Sequence, residues 1–229
     1  MARPGDSKTD SSTRTSSALG GLRMTIRRYQ RSDLDAVSRV CLLTAAAGGD
    51  ATGAFVDDEL MPEIWARPYL AIEPAWAWVV EDDDGLVSGY ILAAPDTRRF
   101  VERYRAEWLP RLSARYTRTD PALTPDDRMR ELGFTPERML VPEVDEYPAH
   151  LHIDLLPHLQ GRGLGRQLIE TLQRALGDAG VPGLHLSLDP ANGGALAFYH
   201  RLGFGELASS TADEPLLGKK LPLRIGPSA

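Results

Sequence analysis

The chain has 229 residues, enough for one large domain, and its 42% hydrophobic and 25% charged residues are ordinary for a globular protein. Its net charge of −6, from 26 Lys and Arg against 32 Asp and Glu, argues against nucleic acid as the main partner.

The single cysteine, Cys41, excludes an intrachain disulfide and a cysteine-based zinc site, and no metal site is predicted. Because Cys41 lies in an apolar run, we expect a buried small side chain rather than a nucleophile. No apolar run has the ~18 residues of a membrane span and no secretory signal is recognised, so a cytoplasmic protein without membrane contact is expected.

The first third of the chain predicts a tail followed by a strand and helices. Residues 1–22 are almost free of apolar side chains, which predicts a disordered N-terminal tail, and residues 23–229 are assigned to one domain. Alternation predicts a strand over 24–29, and Ser32 or Asp33 is expected to cap a helix that continues to about residue 45, before Gly48 and Gly49. A short helix over 57–66 is followed by a connection that contains prolines.

The middle of the chain predicts a hairpin and then a helical insertion. Strands over 76–81 and 86–94 flank the acidic turn at 82–85, which we interpret as a solvated hairpin tip rather than a cation site. Apolar residues at helical spacing over 97–116 predict a helix that Pro110 kinks or breaks. Residues of about 97–148 are interpreted as an insertion, with another short helix near 126–132.

The last third alternates strands and helices. Strands are predicted over 149–156 and 183–188, helices over 163–179 and 194–202, and closing strands over 206–209 and 216–221. This order predicts an α/β fold in which neighbouring parallel strands are joined by a helix.

A glycine-rich loop lies between the strand over 149–156 and the helix that follows it. Its sequence is Gln160-Gly161-Arg162-Gly163-Leu164-Gly165, and three glycines allow close approach of a ligand to the backbone. Free amides at the start of a helix suit a pyrophosphate, and Arg162 and Arg166 would add positive charge to the binding site. Turns of this kind also occur without a ligand, but the flanking strand and amphipathic helix favour a phosphate. The spacing does not fit a P-loop or a dinucleotide fingerprint.

Two motifs carry a family resemblance. The loop from Gln160 to Gly165 and the preceding run from Ile153 to Pro157 resemble the cofactor strand and loop of the GNAT superfamily of acyl-CoA-dependent N-acyltransferases. Asn192, with Tyr199 seven positions later and Gly203-Phe204 after it, resembles the same family's C-terminal motif. These matches cover residues 149–205. The run from Ala149 to Pro157, with the insertion before it, is also similar to bacterial relatives of the acetyltransferase-like domain of O-GlcNAc hydrolases.

The resemblance implies a fold and a cofactor. The fold would be a single GNAT-like domain, with a mixed central β-sheet that is splayed near residues 153–156 and flanked by helices. Acetyl-CoA would lie in the splay, where backbone groups of the strand bind the pantetheine and the loop binds the pyrophosphate. The implied cofactor-binding residues are Ile153, Asp154, Leu155, Gln160, Gly161, Arg162, Gly163, Leu164, Gly165, Arg166, Asn192, Phe198 and Tyr199.

The catalytic residues are implied less directly. Tyr199 matches the tyrosine that protonates the departing CoA thiolate in many family members, and the alternative is a core aromatic beside Phe198. His152 and Asp154 lie on one face of a strand. Either of them is a candidate general base, and the alternative is that they form a hydrogen-bonded structural pair. The position of a glutamate base in some relatives is Ser187 here. Asn192 is interpreted as a helix cap, a cofactor contact or both.

The acceptor is a primary amine by family resemblance, and the sequence does not identify it. Asp58, Trp65 and Glu81 are the predicted substrate contacts, from the helix over 57–66 and the strand over 76–81. The sequence is therefore compatible with two functions. The first is an acetyl-CoA-dependent acyltransferase acting on a small-molecule or peptide amine. The second is a degenerate module of the same fold that binds acetyl-CoA or a partner without turnover. A homodimer is possible through the C-terminal strands.

Overall fold

A computed structural model describes residues 24–222 of the chain. The tail predicted over residues 1–22 lies outside the described residues. None of the helices in the described range is long and apolar enough to cross a bilayer.

The centre of the domain is a seven-stranded mixed sheet with the order β1-β2-β3-β4-β5-β7-β6. Strands β4 and β5 are parallel, and all the other neighbours in the sheet are antiparallel. The predicted fold class, a mixed sheet flanked by helices, is confirmed. The strands are β1 Thr25–Arg28, β2 Ala77–Glu81, β3 Val87–Ala94, β4 Ala149–Leu155, β5 Gly183–Ser187, β6 Gly205–Glu206 and β7 Leu216–Lys220.

Strand β4 separates from β5 soon after it begins. It pairs with β3 along its length, from Leu155 opposite Gly89 to His150 opposite Ala94. Its pairing with β5 is confined to Ala149 and His150. The predicted splay of the sheet is therefore present, and it opens from residue 151, slightly earlier than the expected 153–156.

Eight α-helices in the described part of the chain cover the two faces of the sheet. One face packs against α1 to α6 and the other against α7 and α8. The helices are α1 Leu34–Thr44, α2 Leu60–Trp65, α3 Arg67–Ile72, α4 Thr97–Arg103, α5 Leu109–Arg115, α6 Pro125–Phe134, α7 Leu164–Asp178 and α8 Gly193–Arg201.

The predicted insertion, residues 97–148, contains helices α4 to α6, and Pro110 interrupts the helical run as expected. Helix α4 ends at Arg103, a wider π-helical turn spans Tyr104–Trp108, and Pro110 is the second residue of α5. Proline lacks the N–H that a continuous α-helix would need at that position, and the wide turn accommodates its absence.

Two local predictions were wrong. Residues after 66 form helix α3 rather than a plain connection, because Pro68 lies in its first turn, where an N–H is not required. Asp33 does not cap α1 with its side chain: its carboxylate accepts from the Gln30 N–H and pairs with Arg27 instead.

Candidate active site

A cavity of about 470 Å³ opens where β4 leaves β5. Alternation along β4 directs His150, His152 and Asp154 to the face covered by α1 to α6, whereas Ala149 and Leu151 pack beneath α7. Its polar and charged lining comes from the two strands, from helices α1 and α3, from the segment before β4 and from the loop after β5. These residues are Thr44, Tyr69, Arg138, His150, His152, Asp154, His185, Ser187, Asp189 and Asn192. Apolar walls include Cys41, Met61, Trp65 and Met129.

His152 belongs to a partly buried hydrogen-bond network with Asp154 and Tyr90. The Tyr90 hydroxyl donates to the Asp154 carboxylate in a short contact, and it lies 3.2 Å from Nδ1 of His152. That ring nitrogen is also 3.3 Å from Oδ2 of Asp154. Because the single hydroxyl proton of Tyr90 goes to the carboxylate, Nδ1 faces two acceptors and is the protonated nitrogen. The lone pair of His152 is consequently on Nε2.

His152 lines the cavity, with its Nε2 unengaged. No residue in the range 24–222 makes a hydrogen bond to this nitrogen, and the side chain is 28% exposed. The imidazole stacks against Trp65, with ring centroids 5.7 Å apart. Burial lowers the pKa of His152, Asp154 acts against that shift, and the charge of Arg138 adds to it. The ring is therefore neutral at neutral pH, with the Nε2 lone pair able to accept a proton.

The other two histidines of the cavity have both ring nitrogens engaged. Thr97 donates to the carbonyl of Pro148, so Nδ1 of His150 donates to Thr97 at 2.7 Å and its Nε2 accepts from Tyr69 at 2.8 Å. Burial lowers the pKa of His150 well below its ordinary value. Nδ1 of His185 lies 2.7 Å from the carbonyl of Tyr147, and Nε2 faces the carbonyl of Met139. These two rings are structural, which leaves His152 as the available base.

Tyr199 is on helix α8, on the opposite side of β4. The side chain is 5% exposed and packs edge-on against Phe198 and Phe204. Its hydroxyl makes no hydrogen bond with any described residue. Burial raises the pKa of Tyr199, and the negative charge of Asp154 raises it further, so the hydroxyl keeps its proton.

The three glycines of the loop have different roles. Gly161 and Gly163 adopt left-handed φ angles of 72° and 79°, and a Cβ at either position would project into open space. A Cβ at Gly165 would lie 3.2 Å from Cζ of Phe198, so this glycine allows α8 to pack against the start of α7. The first two glycines therefore leave room for a ligand, and the third serves packing.

The edge of β4 that faces the splay carries free backbone groups. The N–H of Leu156 donates to Ser88 on β3, so backbone groups of residues 151, 153 and 155 point the other way, towards β5. The short β4–β5 pairing ends before Ile153, so the backbone groups of Ile153 and Leu155 face the open wedge. One of these groups is engaged: the carbonyl of Leu155 accepts from the side chain of Gln160 at 3.1 Å.

The remaining predicted cofactor residues lie around this edge. Asn192 caps α8 by accepting from the Ala195 N–H and also lines the cavity, so its predicted cap role is confirmed. Arg162 and Arg166 are exposed beside the start of α7. Leu164 is buried and Phe198 is half-buried.

The structure brings one of the three predicted acceptor contacts to the cavity. Trp65 is part of its wall, but Asp58 and Glu81 are absent from its lining. The carboxylate of Asp58 accepts from the Gly53 N–H, and that of Glu81 pairs with Arg27 on the neighbouring strand. Sequence spacing does not reveal such partners, so of the three predicted contacts only Trp65 is supported by the lining of this cavity.

Cys41 is buried as predicted. It is 1% exposed, and burial raises the pKa of its thiol, which disfavours the nucleophilic thiolate. Two side chains of the site were missed. Tyr90 was assigned only to a hairpin strand, and Arg138 only to the insertion.

Comparison with known proteins agrees with this geometry. The model of the acetyltransferase (GNAT) family matches residues 127–204, which include β4, α7 and β5. A crystal structure of a protein called SsHAT is 47% identical, covers 86% of this chain and 98% of its own, and has a TM-score of 0.82. The chain belongs to the GNAT family of acetyltransferases. The predicted family resemblance is thereby confirmed.

Two curated relatives match this GNAT protein over parts of their length. Protein O-GlcNAcase of Rattus norvegicus is 24% identical over 206 residues, 86% of this chain and 22% of the relative. The ribosomal protein bS18-alanine N-acetyltransferase of Salmonella typhimurium is 38% identical over 84 residues, 37% of this chain and 53% of the relative. The chain thus spans about a fifth of the first relative and about half of the second.

A further solved structure shares the fold. The Salmonella typhimurium protein yncA, solved with its cofactor acetyl-CoA, is 18% identical, covers 90% of this chain and 98% of its own, and has a TM-score of 0.51. At this identity the likeness concerns the fold alone.

Proposed function

We propose that this GNAT protein transfers the acetyl group of acetyl-CoA to a primary amine by direct attack in a ternary complex. Its family supports acetyl transfer in general. The observation that carries the finer proposal is the unengaged Nε2 of His152, fixed by Asp154 and Tyr90 in a cavity at the open edge of β4. A base held in this way suits removal of a proton from an amine.

The described residues fit acetyl-CoA, which supplies an acetyl group activated as a thioester. Backbone groups of Ile153 and Leu155 on the open edge would bind the pantetheine. The left-handed glycines Gly161 and Gly163, followed by the N-terminus of α7, would bind the pyrophosphate. Arg162 and Arg166 add positive charge beside that loop.

Each step of the reaction is assigned to a group of this chain. Nε2 of His152 takes the proton that the amine loses as its nitrogen bonds to the acetyl carbon. A free backbone N–H of β4 stabilises the negative charge on the acetyl oxygen, an effect commonly worth ~3 kcal/mol of barrier. Tyr199 gives its hydroxyl proton to the sulfur as the carbon–sulfur bond breaks. Cys41 is buried with a raised thiol pKa, which favours direct attack over an acyl-cysteine route.

A second candidate is a module of the same fold that binds acetyl-CoA without turnover. The observation that favours it is Ser187, which lines the cavity where the family resemblance implies a glutamate base in some relatives. When the module binds acetyl-CoA, the two candidates differ in whether an acetylated product forms.

Acetyl-CoA binding is tested by a thermal shift with a matched pair of glycine variants. We expect acetyl-CoA at ~100 times its Kd to stabilise the parent protein by about 2.7 kcal/mol. Gly163→Glu should abolish this shift, because it places a negative charge where the pyrophosphate would bind. Gly180→Glu is the control, since Gly180 has nearly the same φ, 77° against 79°, and the same open surroundings at the other end of α7.

The control separates backbone strain from loss of the ligand. Both variants should lower the melting temperature without ligand by similar amounts, because both force a side chain into the left-handed region. Gly180→Glu should still respond to acetyl-CoA. A parent protein that shows no shift, or a Gly163→Glu variant that keeps the full shift, would contradict the cofactor assignment.

A further inference from the structure

Arg138 places a positive charge in the cavity. It lies in the turn after α6, and its guanidinium carbon is 4.1 Å from the centroid of the Trp65 ring. Nε donates to the carbonyl of Leu132 at 2.9 Å. These two contacts hold the side chain, while its two terminal nitrogens have no hydrogen-bond partner among residues 24–222.

No carboxylate of the described residues neutralises Arg138. Other partly buried arginines are paired: Arg27 with Asp33 and Glu81, and Arg67 with Glu59 and Glu63. Arg138 makes no ion pair in the described range, and burial lowers its pKa. A desolvated cation without a counterion costs free energy unless something else neutralises it.

The acidic groups that line the cavity are engaged elsewhere. Asp154 accepts from Tyr90 and lies beside Nδ1 of His152. Asp189 accepts from the Ala191 N–H at 2.8 Å. The guanidinium is therefore a free binding group within the cavity.

The base and the cation are close enough to contact one small molecule. The centroid of the Trp65 ring lies 5.7 Å from the imidazole centroid of His152 and 4.1 Å from the guanidinium carbon of Arg138. The imidazole and the guanidinium are therefore separated by no more than the sum of these two distances. The cavity volume of about 470 Å³ also suits a small ligand. Arginine presents a planar pair of N–H donors that matches a carboxylate.

We infer that the acceptor is a small amino acid whose carboxylate binds Arg138 while its amine faces Nε2 of His152. This inference rests on the proposed N-acetyltransferase function. It narrows the acceptor class from any primary amine to an amine with a carboxylate a few bonds away.

The test compares acids with their neutral amides as acceptors. Glycine, β-alanine and γ-aminobutyrate are each paired with the corresponding carboxamide, at equal concentrations of unprotonated amine and with acetyl-CoA. A short peptide that begins with glutamate distinguishes a peptide carboxylate from a free amino acid. We expect at least one free acid to exceed its amide by ~10–100-fold in kcat/KM, the usual range for a charge-assisted hydrogen bond.

Three arginine variants make the result specific to Arg138. Arg138→Gln should raise KM for the acid ~10–100-fold and change kcat/KM for the amide much less, through the small rise in the pKa of His152 alone. Arg138→Lys keeps the charge without the planar fork and should retain part of the preference. Arg128→Gln is the control, since Arg128 also donates to a backbone carbonyl but lies outside the cavity lining, and it should change neither value.

The outcomes separate this inference from the proposed function. If none of the amines is acetylated, the proposed function itself fails. If amines are acetylated without a preference for the free acid, or if the peptide is preferred, the inference is wrong and the proposed function stands. An Arg138→Gln variant that retains its acetyl-CoA thermal shift, but loses activity on acid and amide equally, would also overturn it.

Discussion

Replacing Tyr199 with phenylalanine is expected to lower kcat by ~10²–10⁴-fold, the usual contribution of a positioned general acid. The Kd for acetyl-CoA should change little, because the ring continues to pack against Phe198 and Phe204 and only the hydroxyl is lost. Single-turnover kinetics together with calorimetric titration of acetyl-CoA would measure the two quantities separately.

Tyr104→Phe is the control for the loss of a buried tyrosine hydroxyl. Tyr104 donates to the carbonyl of Gly133 in the insertion and is not part of the cavity lining. The Tyr104→Phe variant should have a modestly lower free energy of unfolding and an unchanged kcat. If Tyr199→Phe retains the parent rate, Tyr199 is a core aromatic rather than the acid.

The second large effect is expected at His152. His152→Gln should lower kcat by ~10²–10⁴-fold, because a glutamine side chain cannot take a proton from the amine. Asp154→Asn should also lower kcat, since an amide no longer offers the negative charge that holds the Nδ1–H tautomer. Acetyl-CoA should still stabilise both variants, because neither change touches the glycine loop.

The pH dependence follows from the direction of the pKa shift at His152. Burial lowers this pKa from its ordinary value of 6.5, Asp154 opposes the change, and Arg138 reinforces it. The base is active when unprotonated, so the rate should be lost as pH falls through a pKa below 6.5. The corresponding limb of the pH–rate profile should disappear in His152→Gln. If the acidic limb persists unchanged in this variant, it arises from the titration of another group and not from His152.

The sequence predicted those features of the site that depend on local spacing. The strict alternation along β4 put His152 and Asp154 on one face, and the glycine spacing marked the loop before α7. Asn192 was recognised as a cap because it directly precedes a helix. Each of these inferences uses residues within a few positions of one another, where the geometry of a strand or helix end is nearly fixed.

The parts of the site that were missed depend on distant pairing. Tyr90 reaches Asp154 only because Tyr90 on β3 is the registered partner of Asp154 on β4. Arg138 meets Trp65 because the insertion folds back over α2. Glu81 is held outside the cavity lining by Arg27, which belongs to a strand 54 residues earlier. Such contacts are set by tertiary packing, which a single sequence does not specify.

Product analysis tests the central claim most directly. The protein is incubated with acetyl-CoA and the panel of amino acids and amides, and released thiol and acetylated amine are both quantified by mass spectrometry. Acetyl transfer by direct attack predicts one acetylated amine for each CoA released, with formation of both strongly reduced in His152→Gln and Tyr199→Phe. Binding of acetyl-CoA with no acetylated amine from any acceptor would contradict the proposed transfer and favour the non-catalytic module.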